Sequence, residues 1–104
     1  MLTLLNTSIL TAHGAWDYQP VSLVEARKLV ASRPWQSAIG HDSTAAILTE
    51  LLGVEVPVAR IQYQQGPDDL ALVFKLRGRP PEGALLSVAE IEAIGYDFGT
   101  IVAV

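Results

Sequence analysis

Two Ser-x-x-Glu sequences, Ser22 to Glu25 and Ser87 to Glu90, constrain this chain most, because each fixes where a helix must begin. In such a box the serine oxygen accepts from the backbone N–H three residues on. The glutamate in turn accepts from the serine N–H, so two of the donors that a helix start leaves over are closed. Leu23, Ala26, Leu29 and Val30 give the first helix an apolar stripe, and Pro34 ends it. Another helix is expected after Gly40-His41-Asp42-Ser43-Thr44, with Ala45, Leu48, Leu51 and Leu52 on one side. Asp42 or Ser43 is placed to cap that helix, and Gly53 stands where a left-handed C-terminal residue belongs. The second box opens a short helix that Gly95 closes.

Short apolar runs separate these helices. Leu2–Leu5 and Trp35–Ile39 read as strands, and the residues from Asn6-Thr7-Ser8 through Gly14 to Pro20 as a loop. From Arg60 to Gln65, Ile61 and Tyr63 alternate with Gln62 and Gln64, the period of a half-buried strand. Gly66-Pro67-Asp68-Asp69 is turn chemistry, so Leu70–Leu76 is expected to run back as the second arm of a hairpin. Ile101–Val104 reads as a final strand. The expected fold is α/β: one small domain over residues 1–104, with a mixed, mostly five-stranded sheet flanked by helices.

Half of the 104 residues are hydrophobic, enough for a core, although a domain of this size buries only a modest share of its surface and would gain from dimerisation. The formal net charge of −4 argues against binding of long DNA or RNA, which needs a broad basic surface. Of the seven Lys and Arg residues, Arg60, Lys75, Arg77 and Arg79 fall in one stretch, which leaves room for a local anion site. Cysteine is absent and the two histidines, His13 and His41, show no H-E-x-x-H spacing. Neither a metal nor a cofactor is expected. With no basic leader and no long apolar run, the chain is expected to be cytoplasmic and not membrane-bound.

Three segments carry candidate chemistry. Gly40-His41-Asp42-Ser43-Thr44 joins a strand to a helix, where free N–H groups attract anions and glycine lets a ligand approach the backbone. A histidine there can give or take a proton near neutral pH. In Arg77-Gly78-Arg79-Pro80-Pro81-Glu82-Gly83, two arginines two residues apart share one side of a strand end, and Arg suits phosphate. Asn6-Thr7-Ser8 follows the first strand, where open α/β sheets bind ligands. Trp16, Tyr18 and Trp35 are candidates for stacking on bases. Taken singly, these segments are also what a capped helix, a solvated strand end and a polar loop look like; the combination is what informs.

In order, Leu4-Leu5-Asn6-Thr7-Ser8, Ser37-Ala38-Ile39-Gly40-His41-Asp42-Ser43-Thr44, Val58-Ala59-Arg60-Ile61 and Arg79-Pro80-Pro81-Glu82-Gly83 resemble the viral ring nucleases, from Leu4 to about Val102. These anti-CRISPR proteins disarm type III immunity by opening the second messenger cyclic tetra-adenylate. The resemblance implies a homodimer that closes over the ring, one copy of the site to each half of the ligand, and catalysis without metal. It implies His41 as the general acid on the leaving 5′-oxygen and Arg79 as the clamp on the scissile phosphate. Glu82 stands near the scissile bond, either orienting Arg79 or acting as a base. Asn6, Ser8, Gly40, Ser43, Thr44 and Arg60 fall at positions expected to contact the ligand. The loop from Thr11 to Gln19 has no clear counterpart in the family, and Pro80-Pro81 is stiffer than its pattern.

Three other classes remain on the sequence: a sponge that holds a cyclic oligonucleotide without cutting it, a small DNA-binding regulator, and a structural protein that uses the same fold, since fold alone does not fix function. An acid at the scissile bond favours cleavage over a sponge. The acidic balance and the absence of a helix-turn-helix pattern count against a regulator.

Overall fold

The computed structural model describes residues 1–78 and 86–104. Their element order is β1 (Leu2–Leu5), β2 (Trp16–Val21), α1 (Leu23–Ser32), β3 (Trp35–Ser37), α2 (Asp42–Leu52), β4 (Leu70–Leu76), α3 (Val88–Ile94) and β5 (Tyr96–Ala103). One mixed five-stranded sheet runs β2-β5-β4-β1-β3, with helices against it, the α/β arrangement expected. β1 pairs in parallel with both β3 and β4, whereas β5 pairs antiparallel with β4 and β2. The C-terminal ends of β1, β3 and β4 therefore open onto one edge of the sheet.

Both boxes form. Ser22 Oγ accepts from Glu25 N–H and Glu25 accepts from Ser22 N–H, each at 3.1 Å. Ser87 and Glu90 repeat the exchange at 3.2 and 3.1 Å. Gly53 ends α2 at φ 72°, in the left-handed region where a side chain is disfavoured. Helix α2 lies between α1 and α3, and the Arg27 guanidinium reaches from α1 to donate to the Leu51 carbonyl at 2.8 Å. That bond satisfies an acceptor that the end of α2 would otherwise leave to solvent.

Alternation along the strands splits the core in two. Leu2, Leu4, Leu72, Phe74 and Phe98 face the helices and pack with Ala26, Val30, Leu48, Leu51 and Ile91. Leu5, Ala71, Val73 and Ile101 occupy the other face, covered in part by Trp16, Ala38 and Tyr63. Among the described residues no helix is long and apolar enough to cross a membrane.

Several local expectations are corrected. Trp16–Val21 is a strand, not a loop: β2 is an edge strand, where Pro20 can lack an N–H without breaking a ladder. The hairpin does not form. The Gly66–Asp69 turn closes as expected, with Asp69 N–H donating to the Gly66 carbonyl at 3.2 Å, yet residues 60–65 enter no strand. Gln65 instead spends its side-chain amide on the Ile101 carbonyl at 2.7 Å, and β4 pairs with β1 and β5. β3 starts at Trp35 as expected but stops at Ser37 rather than Ile39, and β5 begins at Tyr96, five residues earlier than expected, and ends at Ala103.

Candidate functional site

The strand-to-helix turn at residues 40–44 lies on the sheet edge where β1, β3 and β4 end. Ile39 is fully buried and anchors the turn, its carbonyl accepting from Ala59 N–H at 2.8 Å. The chain then emerges: Gly40 is half-buried, and His41, Asp42 and Ser43 are exposed. The helix cap is His41, not Asp42 or Ser43, which are its first two helical residues. His41 makes no side-chain cap bond. The first helical bond runs from Ala45 N–H to the His41 carbonyl at 3.1 Å. The N–H groups of Asp42, Ser43 and Thr44 precede it and have no intrahelical acceptor, so their partial positive charge faces outward. α1 and α3 are closed at the same point by their capping boxes.

Arg60 arrives at this turn from 20 positions later in the chain, its Nε donating to the Gly40 carbonyl at 3.0 Å. One edge of the guanidinium is thereby spent; the arginine stays exposed, and among the described residues its remaining N–H groups have no partner, so they are placed to take an anion. Gly40 does not have a positive φ, and a Cβ on it would meet only Arg60 Cγ at 3.5 Å, an ordinary contact. The fold itself therefore does not require glycine at this position. A ligand seated against the backbone would.

Asn6 and Ser8, both half-buried, follow β1, the strand next to β3 on the same edge. The structure thus brings Gly40, His41, Ser43, Thr44 and Arg60 to one turn and sets Asn6 and Ser8 one strand away. Arg79 and Glu82 lie outside the described residues. Arg77 enters the same edge from β4, but its charge is spent: Nη2 and Nε grip the Asp97 carboxylate of β5 at 2.7 and 3.0 Å. This pairing holds the Asp97 carboxyl below the usual carboxylate range and raises Arg77 above its own. Of the aromatic candidates, Trp35 packs against the core and Trp16 donates to the Ala12 carbonyl at 3.2 Å, while Tyr18 lies over Gly99 with Lys75 Nζ 5.9 Å from its ring centre. His13 is exposed in the loop before β2. The tie between Arg60 and Gly40 had no sequence signal, because nothing in the spacing couples the two. Among the described residues no three His, Asp or Glu side chains gather as a metal cluster would require.

A family model described as STIV B116-like matches residues 2–98. The chain belongs to the STIV B116-like family. The chain is also similar to proteins of archaeal viruses and of a bacterium. Protein 26 of Sulfolobus islandicus filamentous virus is 34% identical over 102 residues, 93% of this chain and 86% of that one. Protein ORF117 of Acidianus two-tailed virus is 39% identical over 103 residues, covering 93% and 88%. YddF of Bacillus subtilis is 29% identical over 99 residues, covering 93% and 92%. Among solved structures, B116 of Sulfolobus turreted icosahedral virus superposes with a TM-score of 0.87 over 97% of each chain at 21% identity. At that identity the likeness to B116 speaks for the shared fold, and function has to be argued from the site.

Proposed function

We propose that this B116-like protein is a ring nuclease of the anti-CRISPR type. It would open cyclic tetra-adenylate in the host cytoplasm without metal and so end type III signalling. The observation that carries the reading is the turn at Gly40 and His41. There a protonatable side chain, an uncapped helix start and an anchored arginine converge on one exposed point of the sheet edge.

The substrate's chemistry fits such a site. In the ring each ribose holds a 2′-hydroxyl beside the phosphodiester, so the nucleophile comes with the ligand. The 2′-oxygen loses its proton and bonds to phosphorus, and the bond from phosphorus to the 5′-oxygen breaks. The products are a 2′,3′-cyclic phosphate and a free 5′-hydroxyl. The protein must hold phosphate charge, protonate the departing oxygen and accept the 2′ proton. His41 is the acid, and the α2 N–H groups with Arg60 hold phosphate oxygens. Arg79 is the clamp on the scissile phosphate. Glu82 orients Arg79 or takes the 2′ proton. Asn6, Ser8, Gly40, Ser43 and Thr44 line the ligand. A homodimer supplies the site twice, matching the two-fold symmetry of the ring.

Incubation of the pure protein with cyclic tetra-adenylate in EDTA, with products read by mass spectrometry, tests this. Linear adenylates ending in a 2′,3′-cyclic phosphate support the reading. An intact ring that co-elutes with the protein would make it a sponge, and a ring neither bound nor cut would remove the ligand altogether.

A further inference from the structure

The turn that leads to His41 and the segment that delivers Arg60 are stitched together at a constant offset. Ser37 Oγ donates to the Pro57 carbonyl at 2.6 Å, and Ala59 N–H to the Ile39 carbonyl at 2.8 Å. Arg60 Nε–H donates to the Gly40 carbonyl at 3.0 Å. Each bond joins residues 20 positions apart, so residues 37–40 and 57–60 lie side by side, parallel and in one register. Neither residues 38–40 nor residues 57–60 belong to a strand, so no sheet ladder joins the two stretches. These bonds take its place.

Ser37 is the rung that works twice. At the end of β3 it is buried, with 6% of its surface exposed. While its hydroxyl donates to Pro57, the same oxygen accepts from Ile39 N–H at 3.2 Å. Ile39 is fully buried, and among the described residues its N–H has no backbone acceptor. Without the hydroxyl that donor would be left buried and unpaired, a costly state for a backbone group.

We infer that Ser37 is a positioning residue of the candidate site: it sets Arg60 and the Gly40 carbonyl against each other without touching a ligand itself. On one side it orients the Ile39 backbone, next to the carbonyl that receives the arginine. On the other it holds Pro57, at the start of the stretch that brings Arg60 in. That stretch is secured from upstream, because Val56 N–H donates to Thr49 Oγ1 of α2 at 2.9 Å. Downstream of Arg60 the next bonded backbone N–H among the described residues is that of Gln65, which donates to Thr11 Oγ1 at 2.7 Å. Arg60 therefore takes its place from the Ser37 side. The consequence for ring binding rests on the function proposed above; the placement of Arg60 does not.

The Arg60 Nε proton reports that placement without any substrate, because a hydrogen-bonded Nε–H exchanges slowly with water. Arg27, whose Nε–H donates to the Leu51 carbonyl, is the internal reference. In Ser37→Ala, nitrogen-15 NMR should show Arg60 Nε–H exchange faster by about tenfold, with Arg27 and the circular dichroism unchanged. Ring binding is then measured in the His41→Ala background. Ser37→Ala should weaken it by about 3- to 10-fold when Arg60 is present, since the ligand must then order the arginine. In Arg60→Ala the same change should cost little, because Ser37 acts through that arginine. Should Ser37→Ala fail to fold, Ser37→Cys keeps the volume with a weaker donor and is read the same way. Unchanged Arg60 exchange would overturn the inference, as would an equal loss of affinity with and without Arg60. A ring that no variant binds contradicts the functional proposal, and the Arg60 exchange rate then decides the role of Ser37 by itself.

Discussion

Arg60 donates its Nε–H to the Gly40 carbonyl at 3.0 Å, which fixes an arginine against the turn that carries His41. A mobile surface arginine would have to be ordered by its ligand; this one is partly ordered in advance, which lowers the entropy lost on binding. Arg60→Ala should weaken binding of cyclic tetra-adenylate by about 10- to 100-fold, the worth of one or two charge-assisted hydrogen bonds. Arg60→Lys should recover only part of this, since one ammonium cannot hold the carbonyl and grip a phosphate as a fork does. Titration calorimetry in a His41→Ala background, where the ring is expected to survive, checks both.

The three helix starts should respond differently to mutation. Ser22→Ala and Ser87→Ala each remove a closed capping box and should cost about 1 kcal/mol in urea unfolding. His41→Ala removes no cap bond and exposes no core, so its stability should stay within about 0.5 kcal/mol of wild type. If His41→Ala proved as costly as the serine changes, the residue would be a structural cap and its place in the proposed site would be lost.

What could be read from the chain divides along the range of the interactions. The capping boxes, the Gly53 terminus and the Gly66–Asp69 turn are settled within a few residues, and local chemistry announces them. Strand partners are chosen across the whole chain. Residues 60–65 and 70–76 look like hairpin arms, yet β1, more than 60 residues upstream, takes the place beside β4 because its Leu2 and Leu4 complete the face under the helices. β2 was hidden by Pro20, which speaks against a strand unless the strand is known to lie at an edge. The His41 turn was legible as a motif. Arg60 was legible as one of a basic stretch and through the family resemblance, but its anchor on Gly40 exists only in three dimensions.

Gly99 in β5 is a packing glycine. A Cβ there would collide with the Tyr18 ring and stand 3.2 Å from the Gln19 carbonyl of the paired strand β2. Gly99→Ala should push Tyr18 off the sheet, separate it from Lys75 and cost about 1–2 kcal/mol, the usual range for overpacking. Thermal denaturation reads the loss. An unchanged melting temperature would mean that Tyr18 does not rest on this glycine in solution.

The Gly66–Asp69 turn gives a pH signature. Asp69 accepts from Gly66 N–H at 2.7 Å, and this bond above all holds its carboxyl below the usual carboxylate range. A carboxyl whose folded pKa is lowered stabilises the fold fully above its unfolded value, and the contribution fades as pH falls through the folded one. Asp69→Ala should therefore be less stable than wild type by about 1 kcal/mol at pH 7. The gap should close as pH falls below about 4, the ordinary aspartate range. Urea unfolding at both pH values checks it, and a gap that persists in acid would show that the carboxylate charge is not what stabilises the turn.

Single-turnover cleavage of cyclic tetra-adenylate by wild type and His41→Ala, with the affinity of each measured in parallel, decides whether His41 acts as the general acid. A general acid gained or lost changes rate by about 10²- to 10⁴-fold. A fall of that size, with affinity within a few-fold of wild type, is the expected result. Equal cleavage rates at equal affinity would contradict it, and the turn at Gly40 and His41 would then not be where the ring is opened.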